Sequence, residues 1–211
     1  MRAINMPEYP GEAGVSTILN EENRIVFAWI RHNESPENPL EDWDCIGSIH
    51  SLGHRLISYD PDTIEENRDN PDAIPLSYFE HGLCMWGVAG TMDGMPDFRW
   101  DGVDFAGIWL PDECILDEAK GMVGDFRRSF MKKRADHACR AYTHWCNGDI
   151  WCVELRVYQL DWYDDDTPIQ SLQYYEDSPD EVLLFEDVCC GFYGWEEAEI
   201  NLKDSWESYA R

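Results

Sequence analysis

Basic residues are scarce in this chain. Sixteen Lys and Arg stand against 43 Asp and Glu in 211 residues, a net charge of −27 with a sequence pI near 4.3. Such a chain is repelled by nucleic-acid phosphates and by anionic lipid, so it is not expected to bind either surface directly. No stretch approaches the ~18 consecutive apolar residues of a membrane span. There is no Gly-rich phosphate loop, no Gly-x-Ser-x-Gly elbow and no Cys-x-x-Cys pair. The strongest signals for nucleotide chemistry, serine hydrolysis and zinc or thiol redox chemistry are therefore missing. Internal repeats and low-complexity tracts are also lacking. The first residues, Met1-Arg-Ala-Ile-Asn-Met-Pro-Glu8, carry no apolar run of the kind a secretory leader needs.

What is present argues for a folded body. Ten Trp, 10 Tyr, 8 Phe and an apolar content of 44% are too much for an acidic disordered chain. The length suits one domain, 1–211, with long acidic loops. A core of this size needs no disulfides. The eight cysteines, several of them inside apolar runs, are therefore expected to be reduced thiols in a cytosol.

The charge is unevenly distributed. Residues 33–118 carry 20 acids and three bases, and 158–211 carry 15 and two. Between them, 119–157 has eight bases against four acids. This basic segment holds the clearest helix. Phe126, Phe130, Ala135, Ala138, Tyr142 and Trp145 recur at helical spacing, Gly124-Asp125 offers a start with an N-cap candidate, and Asn147-Gly148 a stop. A shorter helix is predicted from Pro111 or Asp112 to about Lys120. Strands are predicted at 25–30, 83–89, 105–110 and 150–162, with a last strand or pair at 182–185 and 190–193. Residues 195–209 read as an amphipathic helix or an ordered tail. Stretches 33–40, 59–75 and 91–103 read as loops. The order strands, helices, strands predicts an α+β fold, mainly antiparallel sheet against one long central helix and a shorter one.

Few residues suggest catalysis. His50 and His54 are four apart with Cys45 nearby, and on a helix could share a metal; the Gly- and Ser-rich surroundings argue against that helix. His137, Cys139, His144 and Cys146 divide between two faces of the long helix, which suits core cysteines and surface histidines. Asp97–Asp104 and Asp161–Asp166 are acid-rich but lack the ligand spacing of a calcium loop. Glu80-His81 is the best isolated acid–base pair, with a hydrogen-bonded structural histidine as the plainer reading. No cofactor is expected. Paired carboxylates carry no weight in a chain with 43 of them.

The charge itself points to function. Duplex DNA carries one negative charge per ~1.7 Å, so 27 charges match about 46 Å of duplex. A compact chain of this length is roughly 43 Å across. The residues expected to stand in for phosphates are Asp60, Asp62, Glu65, Glu66 and Asp69 in an early loop. Asp164, Asp165, Asp166, Glu176, Asp177, Asp180 and Glu181 are expected to do so in the late acidic block. Three segments, Tyr78–Gly90, Phe98–Pro111 and Cys139–Gly148 with the later Gly191-Phe-Tyr-Gly194, resemble a family of acidic proteins of unassigned function carried by bacteriophages and plasmids. That resemblance implies a mobile-element protein in a bacterial cytoplasm. By analogy it implies an anti-restriction or anti-CRISPR inhibitor that imitates nucleic acid, with a basic nucleic-acid-binding host protein as partner. Two alternatives stand beside it. One is a binding module that docks through aromatics beside acids (Trp43, Trp162, Tyr163, Tyr174, Tyr175). The other is a metal-dependent enzyme using His50 and His54.

Overall fold

The computed structural model describes residues 2–5, 13–19, 24–54, 57–159 and 182–209. The fold is α+β with antiparallel sheets, as the order of elements predicted. The chain groups into two compact units, residues 37–148 and the flanking 1–36 with 149–211.

The flanking unit holds one sheet. Strands β1 (Arg2–Asn5), β2 (Ala13–Leu19) and β3 (Arg24–His32) form a meander, followed by β8 (Ile150–Gln159) and β9 (Val182–Tyr193), every neighbour antiparallel. The central pair β3–β8 runs in register from Arg24↔Gln159 to His32↔Trp151. Alternation therefore puts Val26, Ala28, Ile30, Val153, Leu155 and Val157 on one face. There the final helix, α6 (Trp195–Tyr209), lays Ala198 and Leu202, four apart on one helical face.

The other face of β3–β8 carries Phe27, Trp29 and Arg31 opposite Arg156, Glu154 and Cys152. Glu154 is 5% exposed. Its carboxylate accepts from Arg31 Nε at 2.8 Å and from Arg156 Nη2 at 2.6 Å. Arg156 also donates to Glu186 of β9 at 2.8 Å and lies over the Trp29 ring. A buried carboxylate is tolerated because both oxygens are engaged by cations.

The central unit holds a four-stranded sheet in the order β4 (Ser48–Ser51), β7 (Gly102–Leu110), β5 (Ile74–His81), β6 (Leu83–Val88). Its cross-strand rows alternate faces: Ile49–Trp109–Ile74 and Ser51–Gly107–Leu76–Val88 on one side, His50–Ile108–Pro75 on the other. The first side is the core, with Trp109, Ile74 and Leu76 fully buried. The long helix α5 (Gly124–Asn147) runs beside β6 and buries Met131, Ala135, Ala138, Cys139, Ala141 and Tyr142. It also satisfies the outer edge of β6: Asn147 Oδ1 accepts from Cys84 N, Asn147 Nδ2 donates to Cys84 O, and Thr143 Oγ1 accepts from Trp86 N. An edge that could template pairing is thereby covered.

Several boundaries depart from expectation. The long helix starts from Val123 as N-cap with no side-chain cap bond, so Asp125 lies inside its first turn. The loop 59–75 contains a helix, α2 (Pro61–Glu66), and short turns α1 (Pro39–Asp42) and α3 (Phe98–Asp101) lie in the other acidic stretches. The shorter predicted helix is α4 (Glu113–Glu118), capped by Asp112, whose Oδ1 accepts from Ile115 N. Reduced thiols throughout is corrected as well. Cys45 bonds Cys114 and Cys152 bonds Cys190, while Cys84, Cys139, Cys146 and Cys189 lie outside disulfides. The bonded partners are 69 and 38 residues apart, a proximity created by strand pairing and loop placement.

Removing Glu154 takes away the carboxylate that both guanidinium groups share, leaving Arg156 with Glu186 and Arg31 without this partner. Glu154→Ala is expected to lower the unfolding free energy by about 3–5 kcal/mol. Urea denaturation checks it; a loss below about 1 kcal/mol would mean the arginines recover their hydration.

Candidate acidic partner-binding face

The early acidic loop is organised from Asp60 outward. Pro61 at the first helical position and Asp60 as N-cap start α2, with Asp60 Oδ1 accepting from Thr63 N at 3.2 Å. The other carboxylate oxygen sits 2.8 Å from His50 Nδ1, and His50 Nε2 is 2.9 Å from Ser48 Oγ. Ser48 and His50 are two apart on β4, so they share the face that α2 covers. With Asp60 ionised, Nδ1 of His50 carries the proton and donates, and in the neutral ring Nε2 accepts from the Ser48 hydroxyl. The hydrogen bond from His50 comes first, and that from Thr63 next, in holding the Asp60 carboxyl below its ordinary range.

This chain has the connectivity of a nucleophilic triad. Ser48 itself is exposed. These contacts tie the start of α2 to β4.

Those acids point outward. Asp62, Glu65, Glu66 and Asp69 are all exposed. Glu65 meets Arg68 at 3.4 Å, and both are largely solvated. Asp62, Glu66 and Asp69 form no ion pair among the described residues. The cations of the same unit are mostly engaged elsewhere. Arg127 grips Asp72 through two bonds of 2.7 and 2.6 Å, and that hydrogen bonding holds the Asp72 carboxyl low. Arg128 donates to the carbonyls of Pro71 and Ala73, Arg134 to the carbonyl of Cys45, and Arg140 pairs with Asp136. Lys132 and Lys133 are exposed on α5, beside a second hollow. Residues 37–148 hold 21 acids against 10 bases, net −11.

A cleft of about 650 Å³ opens beside α2. It is lined by apolar Ile64, Pro75, Phe105 and Ile108 and by charged Arg68, Asp69 and Arg128. Asp69 thus belongs to both the acidic face and the cleft.

The other candidates fall elsewhere. Asp164, Asp165, Asp166, Glu176, Asp177, Asp180 and Glu181 lie outside the described residues, as do Trp162, Tyr163, Tyr174 and Tyr175. His54 stacks on Tyr78 with ring centroids 4.9 Å apart, while His50 is engaged by Ser48 and Asp60. Neither joins a three-ligand cluster among the described residues. Trp43 stacks on His137 and is half-buried. Cys139 is buried, which pushes its thiol far up, and His137 is exposed, as expected of a core cysteine and a surface histidine, while Cys146 and His144 are both half-buried. His81 does bond structurally, its Nδ1 lying 2.8 Å from Asp101 Oδ2. That contact lies beside the β5–β7 pairing at Phe79↔Gly102.

Searches of family models, curated proteins and solved structures return no match to this chain. The geometry therefore carries the functional reading alone. Sequence reasoning missed the part played by Ser48 and the exposed Trp100, 77% accessible with Arg99 over its ring. The Ser-x-His spacing on a strand was the available signal for the first.

Asp60 and Asp72 have folded-state pKa values below the ordinary carboxylate value of roughly 4. Their contribution to stability is complete above that value and is lost as pH falls through the lowered ones. His81 is raised, chiefly by its bond to Asp101, so its contribution is complete below its ordinary value of roughly 6.5 and fades as pH rises through the raised one. An NMR titration is expected to show His81 above its ordinary range and Asp101→Asn to return it there. An unchanged midpoint in that variant would remove the pairing.

Proposed function

We propose that the chain is a non-enzymatic acidic ligand of a basic nucleic-acid-binding protein, with the α2 face standing in for a phosphate row. A bacterial defence nuclease of restriction or CRISPR type is the partner class this reading assigns, in a host cytoplasm. The observation that carries it is the opposite treatment of the two charge signs. The arginines of α5 turn to carboxylates and backbone carbonyls of the unit, while Asp62, Glu66 and Asp69 stand exposed beside a helix start pinned by Asp60. A basic groove that neutralises phosphates accepts such carboxylates, with salt-sensitive association. Among the described residues no helix is long and apolar enough to cross a membrane.

A second reading has one observation in its favour. Trp100 and Tyr59 are the kind of exposed aromatics that anchor protein interfaces. Binding through them would respond weakly to salt.

The test is inhibition of DNA cleavage by a panel of purified restriction and CRISPR nucleases, measured across a salt series. Replacing Asp62, Glu66 and Asp69 together by Lys is expected to weaken inhibition about 10- to 100-fold with the circular dichroism unchanged. If Trp100→Ala abolishes inhibition while the acidic triple variant is unaffected, the phosphate-mimic reading fails and the aromatic one replaces it.

A further inference from the structure

Cys45, Cys114 and Glu118 form the one group of three metal-ligating side chains that meet among the described residues, their ligand atoms all within 4.8 Å of one another. Cys114 and Glu118 are four apart on α4 and therefore share a face. Cys45 comes from the loop between α1 and β4, with its backbone in the left-handed region at φ 60°. That conformation is uncommon for a residue with a Cβ and is held only where the surroundings impose it.

The surroundings do so without the disulfide. Gly47 N donates to Asp112 Oδ2, the residue that caps α4. The buried Trp109 indole donates to Ile46 O, and Arg134 Nη2 donates to Cys45 O. Gly47 itself tolerates no side chain, since a Cβ there would fall 2.4 Å from Leu110 O. Three hydrogen bonds thus anchor residues 45–47 to α4, β7 and α5. Two molecules of a small thiol such as glutathione, which leave as their disulfide, supply the two electrons and two protons that convert the Cys45–Cys114 bond to two thiols facing each other beside a carboxylate.

From this we infer that the reduced protein binds a zinc ion through Cys45 Sγ, Cys114 Sγ and Glu118, and that the disulfide is the metal-free alternative state of the same site. Two thiolates and a carboxylate from a loop and one helical face are a donor set that suits zinc, with the remaining position left to water. Glu118 is half-exposed, and its ion pair with Arg134 spans 3.6 Å, the longest of the guanidinium–carboxylate pairs described, so the carboxylate is available. Binding releases the two thiol protons, and the zinc remains Zn²⁺ throughout. In the reverse step a small-molecule disulfide such as oxidised glutathione accepts two electrons. It leaves as two thiolates, which take protons from solvent, as Cys45 and Cys114 join and the zinc is released. This site is independent of the acidic-face reading, since none of its ligands belongs to α2.

The experiment uses the full chain, reduced and stripped of metal, titrated with Co²⁺ as a spectroscopic probe and then with Zn²⁺. One equivalent of Co²⁺ is expected to give a thiolate-to-cobalt charge-transfer band that Zn²⁺ abolishes. Cys45→Ser and Cys114→Ser should each lose the band, Glu118→Gln should weaken binding at least ~10-fold, and Cys189→Ser should leave it intact. As a check that needs no variant, Zn²⁺ should protect Cys45 and Cys114 of the wild-type chain from alkylation, read by mass spectrometry. No band in the reduced wild type, a band that survives both serine variants, unchanged affinity in Glu118→Gln, or no protection would each overturn the inference.

Discussion

The bidentate grip of Arg127 on Asp72 is the contact on which the central unit's surface depends. It joins the start of α5 to the segment that leads from α2 into β5, and Arg128 reinforces it through two carbonyls of the same segment. A chain of net −27 repels itself, so its few cations matter most where they fasten non-adjacent pieces together. Arg127 and Asp72 are 55 residues apart in sequence. Most exposed ion pairs contribute little, but a planar fork with little exposure on either side is the geometry in which such a pair is strong. With that segment fixed, one wall of the cleft and the C-terminal side of the acidic loop are fixed too.

The same logic operates in the flanking unit with the signs reversed. There a carboxylate, Glu154, is the buried partner, and two arginines converge on it. Among the described residues, Arg127, Arg128 and Arg134 of the central unit and Arg31 and Arg156 of the flanking unit turn to groups of their own unit, while Asp62, Glu66 and Asp69 stand exposed. This asymmetry gives the acidic face its chemical character. An acidic composition with its carboxylates buried in mutual networks would offer a partner nothing to grip.

Much of the fold was legible because its signals are local. The helical spacing from Phe126 to Trp145 and the Gly148 stop reproduce α5, whose C-cap residue sits in the left-handed conformation that glycine favours. The apolar runs at 83–89 and 105–110 mark β6 and β7, and the long alternation from Ile150 marks β8. Other features were not legible, and β1, β2 and β5 lie outside the predicted strands. The short β4 lies in a Gly- and Ser-rich stretch whose strand character comes from pairing with β7. The helix α2 hides in an acid-rich loop, although Asp-Pro at 60–61 is a cap followed by a favoured first residue. The segments 182–185 and 190–193, read as a last strand or pair, form one strand, because pairing with β8 carries Glu186 and Asp187 through.

By itself the sequence determined the balance of charge, the presence of a core, and the mixture of long helix and antiparallel strands, since these follow from composition and short-range periodicity. It also supplied the acids at 60–69 as candidates. Only the tertiary structure decided which side chains face one another. It placed His50 against Asp60 and not beside His54, Arg127 against Asp72, and Cys45 against Cys114. The physical reason is that such pairs are joined by strand register and loop placement, which bring together residues that no local pattern relates. A charge or a thiol carries no mark in the sequence of the partner it will meet.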